Sequence, residues 1–289
     1  MRLGLVGLGR MGANMRERLR GAGHEVVGFD RDPQLSDVDS LAALADALSP
    51  PRLVWLMVPA AATAAVVDEL AGVLSADDIV IDGGNSHYAE DAARAARLAG
   101  SGIGYLDVGV SGGVWGREGG YALMVGGDER YVRRCRPVFD ALKPPGEFGF
   151  VHAGGVGAGH YAKMVHNGIE YGLMHAYAEG YELLTRSELV SDVPGVLQSW
   201  RSGSVIRSWL LELLDEALAE DPQLTSLRGY VEDTGEGRWT VDEAVRLGVP
   251  MNVTAAALFA RFASRQEDSP AMRAVAALRQ RFGGHTVRQ

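Results

Sequence analysis

The 289-residue chain predicts an α/β doubly wound parallel sheet followed by an all-α C-terminal domain. Three observations predict it. Up to about residue 150, short β-branched runs alternate with Ala-rich stretches, the pattern of parallel strands covered by helices. A glycine cluster at residues 154–159 then breaks the alternation. Beyond it no strand pattern returns, and the chain is rich in Ala, Leu, Glu and Arg. The expected domains are therefore residues 1–156 and 157–289.

In order, strands are expected at residues 2–6, 25–30, 53–58, 79–82 and 105–110, each a short apolar run bounded by polar or glycine-containing segments. Two more, at 121–125 and 147–151, lie close enough in sequence to pair as an added edge. The first helix of the second domain, about residues 159–187, is long for a globular helix and is expected to form that domain's spine.

Composition narrows the function classes. With 47% hydrophobic and 22% charged residues the chain has ample apolar surface to bury. A net charge of −9 argues against a surface for nucleic acid or anionic membranes, which requires clustered Lys and Arg. The single cysteine, Cys135, rules out an internal disulfide and fits a reducing, cytoplasmic setting. Neither a secretory signal nor a membrane-spanning run is evident.

Gly7, Gly9 and Gly12 follow the first strand and open a helix, with Arg10 and Met11 between them. Such glycines allow a tight turn, close approach of a pyrophosphate and close helix packing, and the helix N-terminus offers amides to the phosphates. Asp30 ends the second strand, where a carboxylate accepts hydrogen bonds from ribose hydroxyls and repels a 2′-phosphate. That favours NAD over NADP. Arg31 beside it could pair with a phosphate or stack on adenine. Val58, at the end of the third strand, and Asn85, in the loop after the fourth, complete the expected cofactor contacts.

On the long helix, Lys163, His166, Asn167, Glu170 and Tyr171 lie at offsets of three, four, seven and eight, so they share one face. Met164, Val165 and Ile169 lie elsewhere and are free to do the burying. An amine, a carboxyl, an imidazole and an amide on one stripe suit a ligand better than a solvated face. Two loops at the carboxyl ends of strands point the same way: Asp82-Gly83-Gly84-Asn85-Ser86 and Ser111-Gly112-Gly113.

These residues carry a resemblance. Gly7 to Gly12, Asp82 to Asn85, Ser111 to Gly113 and above all Lys163-Met164-Val165-His166-Asn167-Gly168-Ile169-Glu170-Tyr171 resemble decarboxylating 6-phosphogluconate dehydrogenases of the shorter, NAD-type form, within the β-hydroxyacid dehydrogenases. The resemblance covers nearly the whole chain and implies a Rossmann-type first domain. It also implies that Lys163 acts as base, that Glu170 acts as acid, and that Asn167 assists them. Asn85, Ser111, Gly112, Gly113, His166, Asn167, Tyr171, Arg261, Arg279 and His285 would bind the sugar acid. The last two belong to a C-terminal segment that in the family reaches a neighbouring subunit's site, so a homodimer or larger homo-oligomer is expected. A lysine acting as base must be neutral, and burial beside a cationic nicotinamide favours the neutral amine. An amine and a carboxyl together supply what an oxidation followed by proton return requires. No metal is expected, because a β-keto acid carries its own electron sink.

One loop departs from the family pattern. Thr234 and Glu236 stand where the family has a lysine and a threonine at the phosphate. A carboxylate there costs on the order of 1–4 kcal/mol of phosphate affinity, so a second reading is a dehydrogenase of another, unphosphorylated 3-hydroxy acid or aldonate. A third, from another class, is a non-catalytic NAD-binding protein, against which the intact Lys163 and Glu170 argue. Glu232, Asp233 and Glu236 read as a solvated acidic loop rather than a metal site. Trp115 and Trp209 read as packing residues. His24, His87, His152, His160 and His175 show no spacing that marks a role.

Overall fold

The structure, a computed structural model, describes residues 1–283 and residue 286. By contacts it divides into two compact units, Met1–His166 and the chain from Asn167 on. The division falls ten residues beyond the expected boundary, and it falls inside a helix.

The first unit runs β1 (Arg2–Val6), α1 (Arg10–Gly21), β2 (Glu25–Phe29), α2 (Leu41–Ala47), β3 (Leu53–Leu56), α3 (Ala60–Val73), β4 (Ile79–Asp82), α4 (Asp91–Ala99), β5 (Gly104–Ser111), the short α5 (Gly116–Gly119), β6 (Ala122–Gly127), α6 (Glu129–Leu142) and β7 (Phe150–Gly154). Its seven-stranded sheet has the order β2-β1-β3-β4-β5-β6-β7. From β2 to β5 every pairing is parallel. The added edge expected from the sequence is present: β6 runs antiparallel to β5, and β7 pairs parallel with β6. β7 starts three residues later than expected, because Gly146 and Gly149 take positive φ and hold the segment after Pro144 in turns.

Alternation along each strand builds two cores. Leu3, Leu5, Leu53, Trp55, Ile79 and Ile81 face α1 and α6, against Met15, Leu19, Cys135, Val138 and Phe139. Val6, Val54, Leu56 and Val80 face α2, α3 and α4, against Leu44, Val67, Leu70 and Leu98. Burial on both faces is why these strands read as continuous apolar runs. The chain leaves β1 first to one side and later to the other, so β1 and β3 flank the switch point where such sheets bind ligands.

Helix α7 (Ala158–Arg186) spans 29 residues and begins in the first unit. The second unit adds α8 (Val193–Trp200), α9 (Trp209–Glu220), α10 (Glu236–Leu247), α11 (Asn252–Ser264) and α12 (Pro270–Gly283). Asp192 and Ser208 cap α8 and α9 by accepting backbone N–H groups of their first turns. Tyr177, Tyr181 and Leu184 of α7 pack with Leu197, Leu211 and Leu218, while Tyr171 packs with Ala257 and Leu258. Ile169, expected to help bury the helix, is 55% exposed, as are several apolar residues of α11 and α12 to similar extents. Trp115 and Trp209, expected as packing residues, are each about half exposed. Among the described residues no helix is long and apolar enough to cross a membrane.

Candidate active site

At the switch point geometry demands two of the three glycines, and the third leaves open space. Gly7 has φ +90° and a side chain there would meet the Met57 carbonyl at 2.5 Å. At Gly12 a Cβ would lie 1.9 Å from the Gly7 carbonyl oxygen, so α1 and the loop touch backbone to backbone. At Gly9, which caps α1, a Cβ would meet nothing within 4 Å. The open space lies at a helix N-terminus with no acidic residue in its first turn, a fit for a phosphate group. Asp30 is tied into this loop, accepting the Leu8 amide at 2.6 Å and the Asp32 amide at 2.9 Å. Arg10 and Arg31 are exposed and Met11 is partly buried against the core. Val58 lies in the turn after β3, its carbonyl against Gly84.

After β4, Asp82 shapes the next loop: it accepts the Gly84 amide at 3.0 Å and the Ser86 hydroxyl at 2.8 Å, leaving Asn85 exposed between them. At the end of β5, Ser111 is followed by Gly112 and Gly113, both with positive φ. The first turns of α7 rest on this strand through glycines. A Cβ on Gly109 would fall 2.4 Å from the Lys163 Cβ, and one on Gly159 would fall 2.5 Å from the Asp107 carbonyl oxygen. The close approach brings three expected site residues together: Lys163 Nζ lies 3.4 Å from His166 Nδ1, and His166 Nε2 lies 3.2 Å from Ser111 Oγ. An imidazole linking an amine to a hydroxyl can pass or hold a proton in either tautomer.

In the second unit, Asn167 and Glu170 are partly buried on α7 and Tyr171 is 6% exposed. The Arg261 guanidinium lies over the Tyr171 ring at 3.5 Å and donates to the Glu232 carbonyl. The Tyr171 hydroxyl is buried with no hydrogen-bond partner among the described residues. These two expected anion ligands are therefore adjacent. Arg279 lies on the exposed surface of α12, and His285 lies outside the described residues.

Of the three carboxylates in the acidic loop, Glu232 is exposed as expected and the other two are not. Asp233 is ion-paired to Arg238 and Arg265, which hold its carboxyl below the usual range. Glu236 is 3% exposed, opens α10, and accepts the Thr234 hydroxyl at 2.6 Å. Its charge is met by that hydroxyl and by the positive end of a helix dipole.

A buried polar cluster escaped the sequence reading. Asp82, Asp91 and Asp107 are fully buried, with Arg94, Tyr105 and His160 around them. The signal for it was Asp107 in the middle of an otherwise apolar strand, since a buried carboxylate requires partners.

Two family models together match nearly the whole chain: the NAD-binding domain of 6-phosphogluconate dehydrogenase over residues 2–144, and the 6-phosphogluconate dehydrogenase C-terminal domain over residues 159–287. A Haloferax volcanii protein named NAD(+)-dependent, decarboxylating 6-phosphogluconate dehydrogenase is 44% identical, over 99% of this chain and 98% of its own. A Lactococcus lactis decarboxylating 6-phosphogluconate dehydrogenase is 36% identical over 92% of this chain, which spans 61% of that longer protein. Among solved structures, a Plasmodium falciparum 6-phosphogluconate dehydrogenase, studied apo, with NADP+ and with 6-phosphogluconate, superposes with a TM-score of 0.84 at 26% identity, over all of this chain and 66% of that one. Fold and site define an oxidoreductase with an NAD(P)-binding Rossmann-type domain and a helical C-terminal domain. The chain belongs to the 6-phosphogluconate dehydrogenase family.

Proposed function

We propose that this protein catalyses the NAD-dependent oxidative decarboxylation of 6-phosphogluconate to ribulose 5-phosphate and carbon dioxide. The observation that carries the reading is the Lys163, His166 and Ser111 chain at the carboxyl edge of the sheet, in a protein that matches this family from end to end. Gly7, Gly9, Arg10, Met11 and Gly12 hold the pyrophosphate. Asp30 and Arg31 meet the adenosine ribose, the carboxylate favouring NAD, and Val58 and Asn85 flank the nicotinamide. When bound, the nicotinamide supplies the acceptor for hydride from C3 of the sugar acid.

Lys163 takes the proton of the 3-hydroxyl as that carbon becomes a ketone. The resulting ammonium donates to the new carbonyl oxygen and stabilises the enolate that forms as the C1–C2 bond breaks. Glu170, two turns along the same stripe, returns a proton to C2 of the enediol. Asn85, Ser111, Gly112, Gly113, His166 and Asn167 hold the carboxylate and hydroxyls. Tyr171 and Arg261 receive the phosphate, a role supported by the buried, unpartnered Tyr171 hydroxyl beside a guanidinium. Thr234 donates to Glu236 and so holds that carboxylate in place at the start of α10.

Exposed apolar residues on the second unit, including Ile169, Val253, Phe259, Leu278 and Phe282, support a homodimer, with Arg279 and His285 completing the neighbour's site. Cys135 is buried and its thiol is pushed up to about 12, so it is inert and suits a cytoplasmic setting. The test is stoichiometric: NAD and 6-phosphogluconate should yield NADH and carbon dioxide in equal amounts, and Lys163→Met should lose on the order of 10²–10⁴-fold in kcat. Turnover of unphosphorylated aldonates alone would defeat the assignment.

A further inference from the structure

The buried cluster connects the Asn85 loop to β5 and to the helix that carries Lys163. Asp82 holds the loop bearing Asn85 through Gly84 and Ser86. The Tyr105 hydroxyl reaches Asp82 at 3.3 Å and Asp91 at 2.8 Å. Asp91 Oδ2 lies 2.8 Å from His160 Nδ1. The His160 and Gly157 amides donate to Asp107 at 3.0 Å and 2.7 Å, pinning the start of α7 to β5. His160 lies one turn before Lys163, whose own Cβ rests on Gly109 of the same strand.

We propose that His160 is a positioning residue: through Asp91, Tyr105 and Asp82 it locks the Asn85 loop to the first turns of α7, and so sets where Lys163 meets the substrate. The charged groups facing the ring are Asp91, Asp82 and Asp107, with Arg94 paired to Asp82, Asp91 and the rim residue Glu90. Burial opposes the imidazolium, but the hydrogen bond to Asp91 and the neighbouring carboxylates outweigh it and raise the ring's pKa to about 9. At neutral pH the Nδ1 link is therefore charge-assisted. Nε2 is buried with no partner among the described residues, so Nδ1 carries the link.

Asp82, Asp91 and His160 also lie close enough together to hold a metal ion. The Arg94 guanidinium, 3.6 Å from Asp82 and 3.3 Å from Asp91, already supplies the counter-charge there.

The inference rests on Lys163 being the base, and the experiment separates the two. An asparagine amide occupies roughly the position of Nδ1 and a glutamine amide that of Nε2. In the full chain, with NAD and 6-phosphogluconate, His160→Gln should lower kcat on the order of 10- to 100-fold, with the KM for NAD nearly unchanged. His160→Asn, which keeps a donor toward Asp91, should retain most of the kcat. Equal kcat in the two variants would overturn the inference, as would a chelator abolishing activity that added divalent metal restores. If neither variant folds, Tyr105→Phe decides: it removes the hydroxyl between Asp82 and Asp91 while Arg94 stays paired to both, and an unchanged kcat would overturn the link through Tyr105 while a lowered kcat at constant KM supports it. Lys163→Met retaining turnover would instead sink the assignment of the base.

Discussion

On the proposed function, Asp30 is the residue that sets which cofactor the chain accepts. Both its oxygens are engaged by backbone amides, of Leu8 and Asp32, so the carboxylate cannot swing away from the ribose side of the loop. A 2′-phosphate brought to within about 5–8 Å would meet repulsion on the order of 2–3 kcal/mol per unit charge at an effective dielectric near 20. Asp30→Asn removes that repulsion and leaves Arg31 to pair with the phosphate. The ratio of kcat/KM for NADP over NAD should rise about tenfold or more, and steady-state assays with both cofactors check it. A wild-type preference for NADP would refute the assignment. Lys163, His166 and Ser111 were legible in the sequence because a stripe at helical spacing and a Ser-Gly-Gly turn after a strand are local patterns. The partnership of Asp91 with His160 was not, since 69 residues separate them. Asp233 was misread as solvated for the same reason: Arg265, one of its partners, lies 32 residues downstream.

At the level of elements, the contact between β5 and α7 decides where the amine sits. Gly109→Ala would force a methyl into the Lys163 Cβ and, at 2.6 Å, the Gly159 carbonyl oxygen; only the first is a side-chain atom. Backbone must move, at a cost of about 1–3 kcal/mol. Thermal melts should show that loss, and kcat should fall further than the loss of folded protein explains, because the helix is displaced at the reacting residue. Full activity in the alanine variant would show that the approach is not needed. Helix α7 was foreseen to within a residue at each end, since a long run free of proline and of turn clusters is a strong signal even with Gly168, Gly172 and Gly180 inside it. The β7 register was not, because the turns at Gly146 and Gly149 depend on positive φ that a Pro-Pro-Gly sequence permits without dictating its length.

Across the whole molecule, the buried cluster links stability to pH. The His160 pKa is raised from 6.5 to about 9 on folding. Its contribution is therefore complete below about pH 6.5 and is lost as pH rises through about 9, amounting to about 3 kcal/mol. Urea unfolding midpoints should fall between pH 7 and pH 9.5 in the wild type. They should fall less in His160→Asn, where only the growing net negative charge acts. A parallel fall in both would remove the linkage. At the same scale, sedimentation should give a mass twice that of the 30.8 kDa chain. A monomer retaining full activity would mean that Arg279 and His285 serve no neighbour. The sheet covered by helices on both faces and the helical second half were legible from periodicity, whereas the exposure of apolar residues on α11 and α12 was not.

The seam between the compact units lies between His166 and Asn167, within an unbroken helix rather than a linker. Lys163 and Glu170 are thus keyed like two cams on one shaft. Adding a single residue at the seam would turn everything beyond it by about 100° about the axis, leaving the amine with His166 and Ser111 but carrying the carboxyl out of phase. Only about seven added residues, near two full turns, would bring it back in phase, and then some 10 Å too far along. On the proposed roles, the spacing of base and acid is set by the pitch of one helix.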